Sequence, residues 1–213
     1  MIQSPYNDQS ATARTPLRVL ALADRRPKID IIQTVRDRQI DLIITLGDFD
    51  RSDLLALAYI TDIPKIGVYG NHDSGEYMQE VGIADMHCKI WQYRGLTFGG
   101  FQGCVRYKDN PQAIMYTQEE ATKLMQGFPP VDVFLSHCPP RGINDEEAID
   151  HQGFDALRQY LDLYHPKVWL HGHTYPVGDQ TVTEYNGTRI EYVYEHKFLS
   201  VLTHKHIGIE RTV

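Results

Sequence analysis

Five times in this chain a short apolar run breaks off at a residue able to ligate a metal ion, and this recurrence narrows the folds open to it. Leu17–Ala23 gives way to Asp24, and Asp41–Leu46 to Gly47-Asp48. Lys65–Tyr69 gives way to Gly70-Asn71-His72-Asp73, Val131–Leu135 to Ser136-His137, and Lys167–Leu170 to His171-Gly172-His173. Runs this short and this continuously apolar fit strands buried on both faces. Helical patterns separate the first three. Pro27 suits a first helical turn, and Ile29, Ile32, Val35 and Ile40 space an amphipathic helix over 28–39. Ser52 and Asp53 suit the start of a helix running through Ile60. The β-α-β-α-β order places the chain in the α/β class, where sites form at the carboxyl ends of strands.

The second half changes character. Residues 89–93 and 96–101 flank Arg94-Gly95 as a hairpin, and 108–116 reads as a loop. Thr117 and Glu120 form a capping-box pattern opening a helix to about Gln126. The stretch 138–150, rich in Pro, Gly, Asn and Asp, is a loop placed to border the site. A helix follows over 152–163. Gln180 to Val201 reads as two or three antiparallel strands, with Asn186-Gly187 as a hairpin turn. Residues 1–15 and 204–213 are polar and aperiodic, so they read as tails on one domain spanning 16–203.

Length and charge exclude several classes. A chain of 213 residues carries one substantial core. A net charge of -7 argues against a protein that coats nucleic acid, which needs a basic face, but leaves a phosphate-bearing substrate open. No apolar run approaches the roughly 20 residues of a membrane helix. The start, Met1-Ile2-Gln3-Ser4-Pro5, lacks the ordered basic and apolar regions of a signal peptide. The three cysteines, Cys88, Cys104 and Cys138, have no paired spacing, which predicts reduced thiols and a cytoplasmic setting.

The strand-end residues Asp24, Asp48, Asn71, His137 and His173 make a mixed oxygen and nitrogen donor set. Such a set suits Mn²⁺, Fe²⁺, Zn²⁺ or Co²⁺ better than Ca²⁺, and the lack of cysteine among them argues against a structural zinc-thiolate site. Each residue alone has a plainer reading: Asp24 as a helix cap, Asp48 as a turn residue, the histidines as satisfied core groups. All five plain readings holding together, always at a strand end, is improbable. His72 can move a proton near neutral pH, and Asp73 can hold its imidazole in one tautomer.

These residues fall into five blocks: Asp24-Arg25-Arg26, Gly47-Asp48, Gly70-Asn71-His72-Asp73, His137 within Ser136-His137-Cys138-Pro139-Pro140, and Gly172-His173-Thr174-Tyr175. In that order, over about 17 to 202, the chain resembles the calcineurin-like metallophosphoesterase superfamily. The resemblance implies a four-layer α/β/β/α sandwich of two mixed sheets with helices outside. It also implies two metal positions, with His72 as proton donor to the leaving oxygen and Asp73 orienting it.

Two departures fall on one of those positions. Arg26 and Tyr175 stand where the family has histidine ligands of the first metal. That position keeps only Asp24 and the shared Asp48, whereas the second keeps Asp48, Asn71, His137 and His173. Arg26 is expected either to pair with Asp24 and a phosphate oxygen, supplying charge, or to lie in solvent. Tyr175 is expected either to offer its phenol to the substrate or to pack. The resulting expectation is a metal-dependent phosphoesterase of phosphodiesters or phosphomonoesters, acting on a small phosphate ester with Mn, Fe or Zn. The alternative is a catalytically silent binding or scaffold protein on the same fold. Oligomeric state leaves no readable trace.

Overall fold

The computed structural model describes residues 16–73 and 75–203, so the expected tails at 1–15 and 204–213 lie outside the described residues. The first sheet begins with β1 (Leu17–Ala23), β2 (Leu42–Thr45), β3 (Lys65–Gly67) and the short β4 (Ala84–Asp85). These four run parallel in sequence order, with β13 (Glu195–Val201) antiparallel to β1 at the edge. The connections carry α1 (Ile31–Asp37), two 3₁₀ helices (Arg51–Asp53 and Leu55–Tyr59) and the one-turn α2 (Tyr77–Glu80).

The second sheet is mixed. Its hairpin, β5 (Ile90–Tyr93) and β6 (Leu96–Phe101), turns at Arg94-Gly95 with both residues at positive φ, as a tight hairpin requires. β9 (Val133–Ser136) and β10 (Val168–His171) continue the sheet in parallel, and β12 (Thr188–Tyr192) pairs with β10. β11 (Glu184–Tyr185) closes the edge through the Asn186-Gly187 turn. β7 (Cys104–Val105) and β8 (Met115–Tyr116) form a separate small parallel pair. Helices α3 (Gln118–Met125) and α4 (Asp155–Tyr164) and two short 3₁₀ turns, Ile149–His151 and Gly178–Gln180, are the remaining elements among the described residues.

Alternation along the strands explains the layering. In β1, Leu17, Val19, Ala21 and Ala23 join a core that also takes Val133, Leu135, Val168 and Leu170 from the second sheet. Leu20 and Leu22 face the other way, onto Ile31, Val35, Leu54 and Leu57. In the second sheet Phe134 and Trp169 turn outward onto Leu157, Tyr160 and Leu161 of α4. Both faces of both sheets are therefore covered, giving the four layers expected. Trp169, fully buried and stacked 4.3 Å from Phe134, is a side chain whose truncation costs on the order of 3–5 kcal/mol.

Four segments differ from expectation. The first helix starts at Ile31, because Asp30 accepts the Gln33 N–H and so caps it. The helix expected from Ser52 to Ile60 is two 3₁₀ turns. The end of the 108–116 loop forms β8. The last strands do not form one antiparallel unit: β12 belongs to the second sheet and β13 to the first, and the chain crosses between sheets at Val193-Tyr194.

Candidate functional site

The parallel register brings the strand ends of each sheet to one edge. Asp24 follows β1, Asp48 follows β2, and Asn71-His72-Asp73 follows β3. Across the sandwich, His137 follows β9 and His173 follows β10. Three of these residues, Asp24, Asp48 and His173, have φ between 61° and 68°, a left-handed conformation that non-glycine residues adopt at a cost. The loops touch where side chains are missing. A Cβ on Gly70 would lie 2.1 Å from Asp48 Oδ1, and one on Gly172 would lie 2.5 Å from Asp24 Oδ2. Glycine at these positions lets the carboxylates approach backbone.

Hydrogen bonds to backbone fix which ring nitrogens face inward. His137 Nδ1–H donates to the Leu46 carbonyl at 2.7 Å. Its Nε2 then looks onto Asn71 Oδ1 at 3.0 Å and Asp48 Oδ2 at 3.5 Å. His173 Nε2–H donates to the Asp150 carbonyl at 2.8 Å, which leaves Nδ1 with its lone pair. The Asp48 carboxylate is held by the His72 N–H at 2.9 Å, and Asp24 accepts the His173 N–H at 2.9 and 3.1 Å. The ligand atoms of Asp48, His137 and His173 lie within 4.8 Å of one another.

Burial sets the electrostatics. Asp24 is pushed up to about 7 by burial, helped by Asp48 and Asp73 and opposed by His137 and the His173 N–H. Burial works against charge on His137, but Asp48, Asp24, the Leu46 carbonyl and Asp73 together outweigh it, and the net shift is upward. His173 is held well below its ordinary value by burial and by the neighbouring His137. Carboxylates crowded in a largely buried site beside imidazoles whose outer nitrogens are already pinned are the arrangement a divalent cation relieves. The donor set at Asp48, Asn71, His137 and His173 therefore fits a transition metal.

Asp73 does something other than orient His72. Its carboxylate accepts the N–H groups of Asp48 at 2.9 Å, Phe49 at 2.8 Å and Gly70 at 2.6 Å. The residue is a buried staple between the β2 and β3 loops, while the His72 side chain reaches solvent. Of the two expectations for Arg26, the structure takes the solvent one. Its side chain is 76% exposed, and its Nε lies 3.9 Å from Asp53 Oδ1 instead of joining Asp24. Tyr175 is likewise half in solvent, with its ring 5.7 Å from His151. Sequence reasoning missed His151 and Asp150, whose only signal was the polar loop after His137. It also missed the Leu46 and Asp150 carbonyls, which carry no side-chain signature at all.

A four-layer α/β/β/α sandwich with carboxylate, amide and imidazole donors converging from facing strand ends defines a metallophosphoesterase-type protein. The chain belongs to the calcineurin-like phosphoesterase family, whose sequence model matches residues 22–176. Solved structures share the fold at low identity. One superposes with a TM-score of 0.63 at 14% identity, covering 87% of this chain and 95% of its own. Another, TT1561 of Thermus thermophilus, superposes with a TM-score of 0.60 at 16% identity, covering 88% of this chain and 99% of its own. Among curated proteins, none matches the sequence. No helix among the described residues is long and apolar enough to cross a membrane.

Proposed function

We propose that this protein hydrolyses phosphoric esters, using one divalent transition metal held by Asp48, Asn71, His137 and His173. The observation that carries the reading is the convergence of the Asp48, His137 and His173 ligand atoms within 4.8 Å. When bound there, Mn²⁺, Fe²⁺ or Zn²⁺ supplies Lewis acidity toward a phosphoryl oxygen and a lowered pKa for water. The chain's own groups do the rest. The Leu46 and Asp150 carbonyls hold the two imidazoles in the tautomers that present lone pairs inward. His72, exposed and tied to Asp48 through its backbone N–H, protonates the leaving oxygen. Asp73 fixes the loops that carry both. The cysteines Cys88, Cys104 and Cys138 are free thiols, in keeping with a reducing, cytoplasmic setting.

A second reading is a silent binding protein on the same fold. The outward turn of Arg26 favours it, since nothing from that residue replaces the charge of a first metal. Turnover of bis(p-nitrophenyl) phosphate with added Mn²⁺ separates the two. The enzyme reading expects turnover that falls about 10²–10⁴-fold in His72→Ala. Absent turnover, with His72→Ala indistinguishable from the parent, favours the silent protein. Elemental analysis should find a single ion per chain, lost in His173→Ala.

A further inference from the structure

A ladder of aromatic rings leads from the candidate metal cluster to the surface. Ring centroids of His137 and His173 lie 4.8 Å apart, those of His173 and His151 5.5 Å, those of His151 and Tyr175 5.7 Å, and those of Tyr175 and Tyr194 5.8 Å. The last three pairs meet at 73°, 87° and 76°, the edge-to-face geometry that aromatic quadrupoles favour. The His137 and His173 rings are buried and His151 is partly exposed, while Tyr175 is 52% exposed and Tyr194 38%. Neither tyrosine belongs to the three hydrophobic clusters found among the described residues. At the outer end, Arg25 donates from Nη1 to the Tyr194 hydroxyl at 3.2 Å, leaving a guanidinium at the rim.

Two large rings left half in water, ordered against each other and continuous with a candidate reaction centre, form a prepared contact surface. Tyr175 also stands in the block that supplies His173, so the backbone that positions a metal ligand positions this ring two residues on. We propose that Tyr175 and Tyr194, with Arg25 at the rim, bind the organic half of the ester, and that this half carries a planar aromatic ring system of nucleobase size. The inference rests on the phosphoesterase reading above. A planar ring system stacks on exposed tyrosine faces whatever its substituents. Arg25 adds a donor and a cation toward acceptor atoms on its edge. An alkyl chain gains little from a flat open rim, because it needs enclosure to shed water on all sides.

The test uses two probes that hydrolysis cannot consume, methylphosphonate and an adenosine phosphonate joined through a P–C bond, titrated calorimetrically into the Mn²⁺-loaded full chain. The expected result is about tenfold tighter binding of the adenosine compound. That advantage disappears in the Tyr175→Ala/Tyr194→Ala double variant and survives in Tyr175→Phe/Tyr194→Phe. Methylphosphonate binds all three proteins alike. Equal affinity for both probes in the parent protein, or an advantage that outlives the double alanine change, overturns the inference while leaving the phosphoesterase reading standing. If methylphosphonate itself fails to bind the loaded protein, that reading falls and the inference with it.

Discussion

Asp73 satisfies three backbone N–H groups drawn from two different loops, and few other side chains present two oxygens so close to a turn. Removing it leaves those buried donors without partners, each at a cost of about 1–3 kcal/mol. Asp73→Ala is therefore expected to lower unfolding free energy by about 3 kcal/mol or more, read from urea midpoints, whereas exposed His72→Ala should leave it nearly unchanged. If both variants unfold like the parent, the staple is not what holds the loops. His87 gives a pH signature at the same scale. Burial lowers its pKa to about 4, and its ring lies between the Gln102 N–H and the Tyr116 hydroxyl. Above pH 6.5 neither the folded nor the unfolded ring is charged. As pH falls from 6.5 toward 4, only the unfolded chain takes the proton, so stability drops, by at most about 3 kcal/mol. His87→Gln should flatten that limb of the stability curve. At this scale the sequence revealed residue types and order, because ligand chemistry restricts which types serve. It did not reveal whether Asp73 served a ring or a backbone, since an Asp meets either demand.

Elements were legible where burial is two-sided and obscure where the repeat is short. β1, β2 and β10 were readable because a strand covered on both faces must be apolar throughout. The segment after Ser52, expected as one helix through Ile60, is two 3₁₀ turns. Leu54, Leu57 and Ile60 are its buried residues, and a spacing of three on one face is the period of a 3₁₀ helix. Lys65 then donates from Nζ to the Leu57 and Ile60 carbonyls, taking up acceptors that a longer helix would have used. By contrast the capping box at α3 formed as expected, with the Thr117 hydroxyl accepting the Glu120 N–H at 3.1 Å and Glu120 accepting the Thr117 N–H at 2.8 Å. Thr117→Ala should cost about 1 kcal/mol in unfolding free energy, and Thr117→Ser should recover most of it. An unchanged midpoint in Thr117→Ala would mean α3 is held by Ala121 and Met125 packing alone.

The whole molecule divides its candidate metal ligands between two sheets. Asp48 and Asn71 follow strands of the first, His137 and His173 follow strands of the second, and the described backbone crosses from one to the other again at Val193-Tyr194. That crossing escaped the sequence because Asn186-Gly187 announces a local hairpin, whereas the pairing of β13 with β1 joins residues far apart in the chain. An ion held from both sides closes the open edge of the sandwich, so it binds the folded protein and not the separated strands. Its free energy of binding then adds to stability by mass action, about 2.7 kcal/mol at a hundredfold excess over Kd. Mn²⁺ should accordingly raise the thermal midpoint in a concentration-dependent way, a chelator should reverse the rise, and His173→Ala should abolish it. A variant outside the ligand set, such as Thr117→Ala, should start lower and gain the full increment. If His173→Ala gained as much as the parent, the ion would lie elsewhere and the two sheets would owe it nothing.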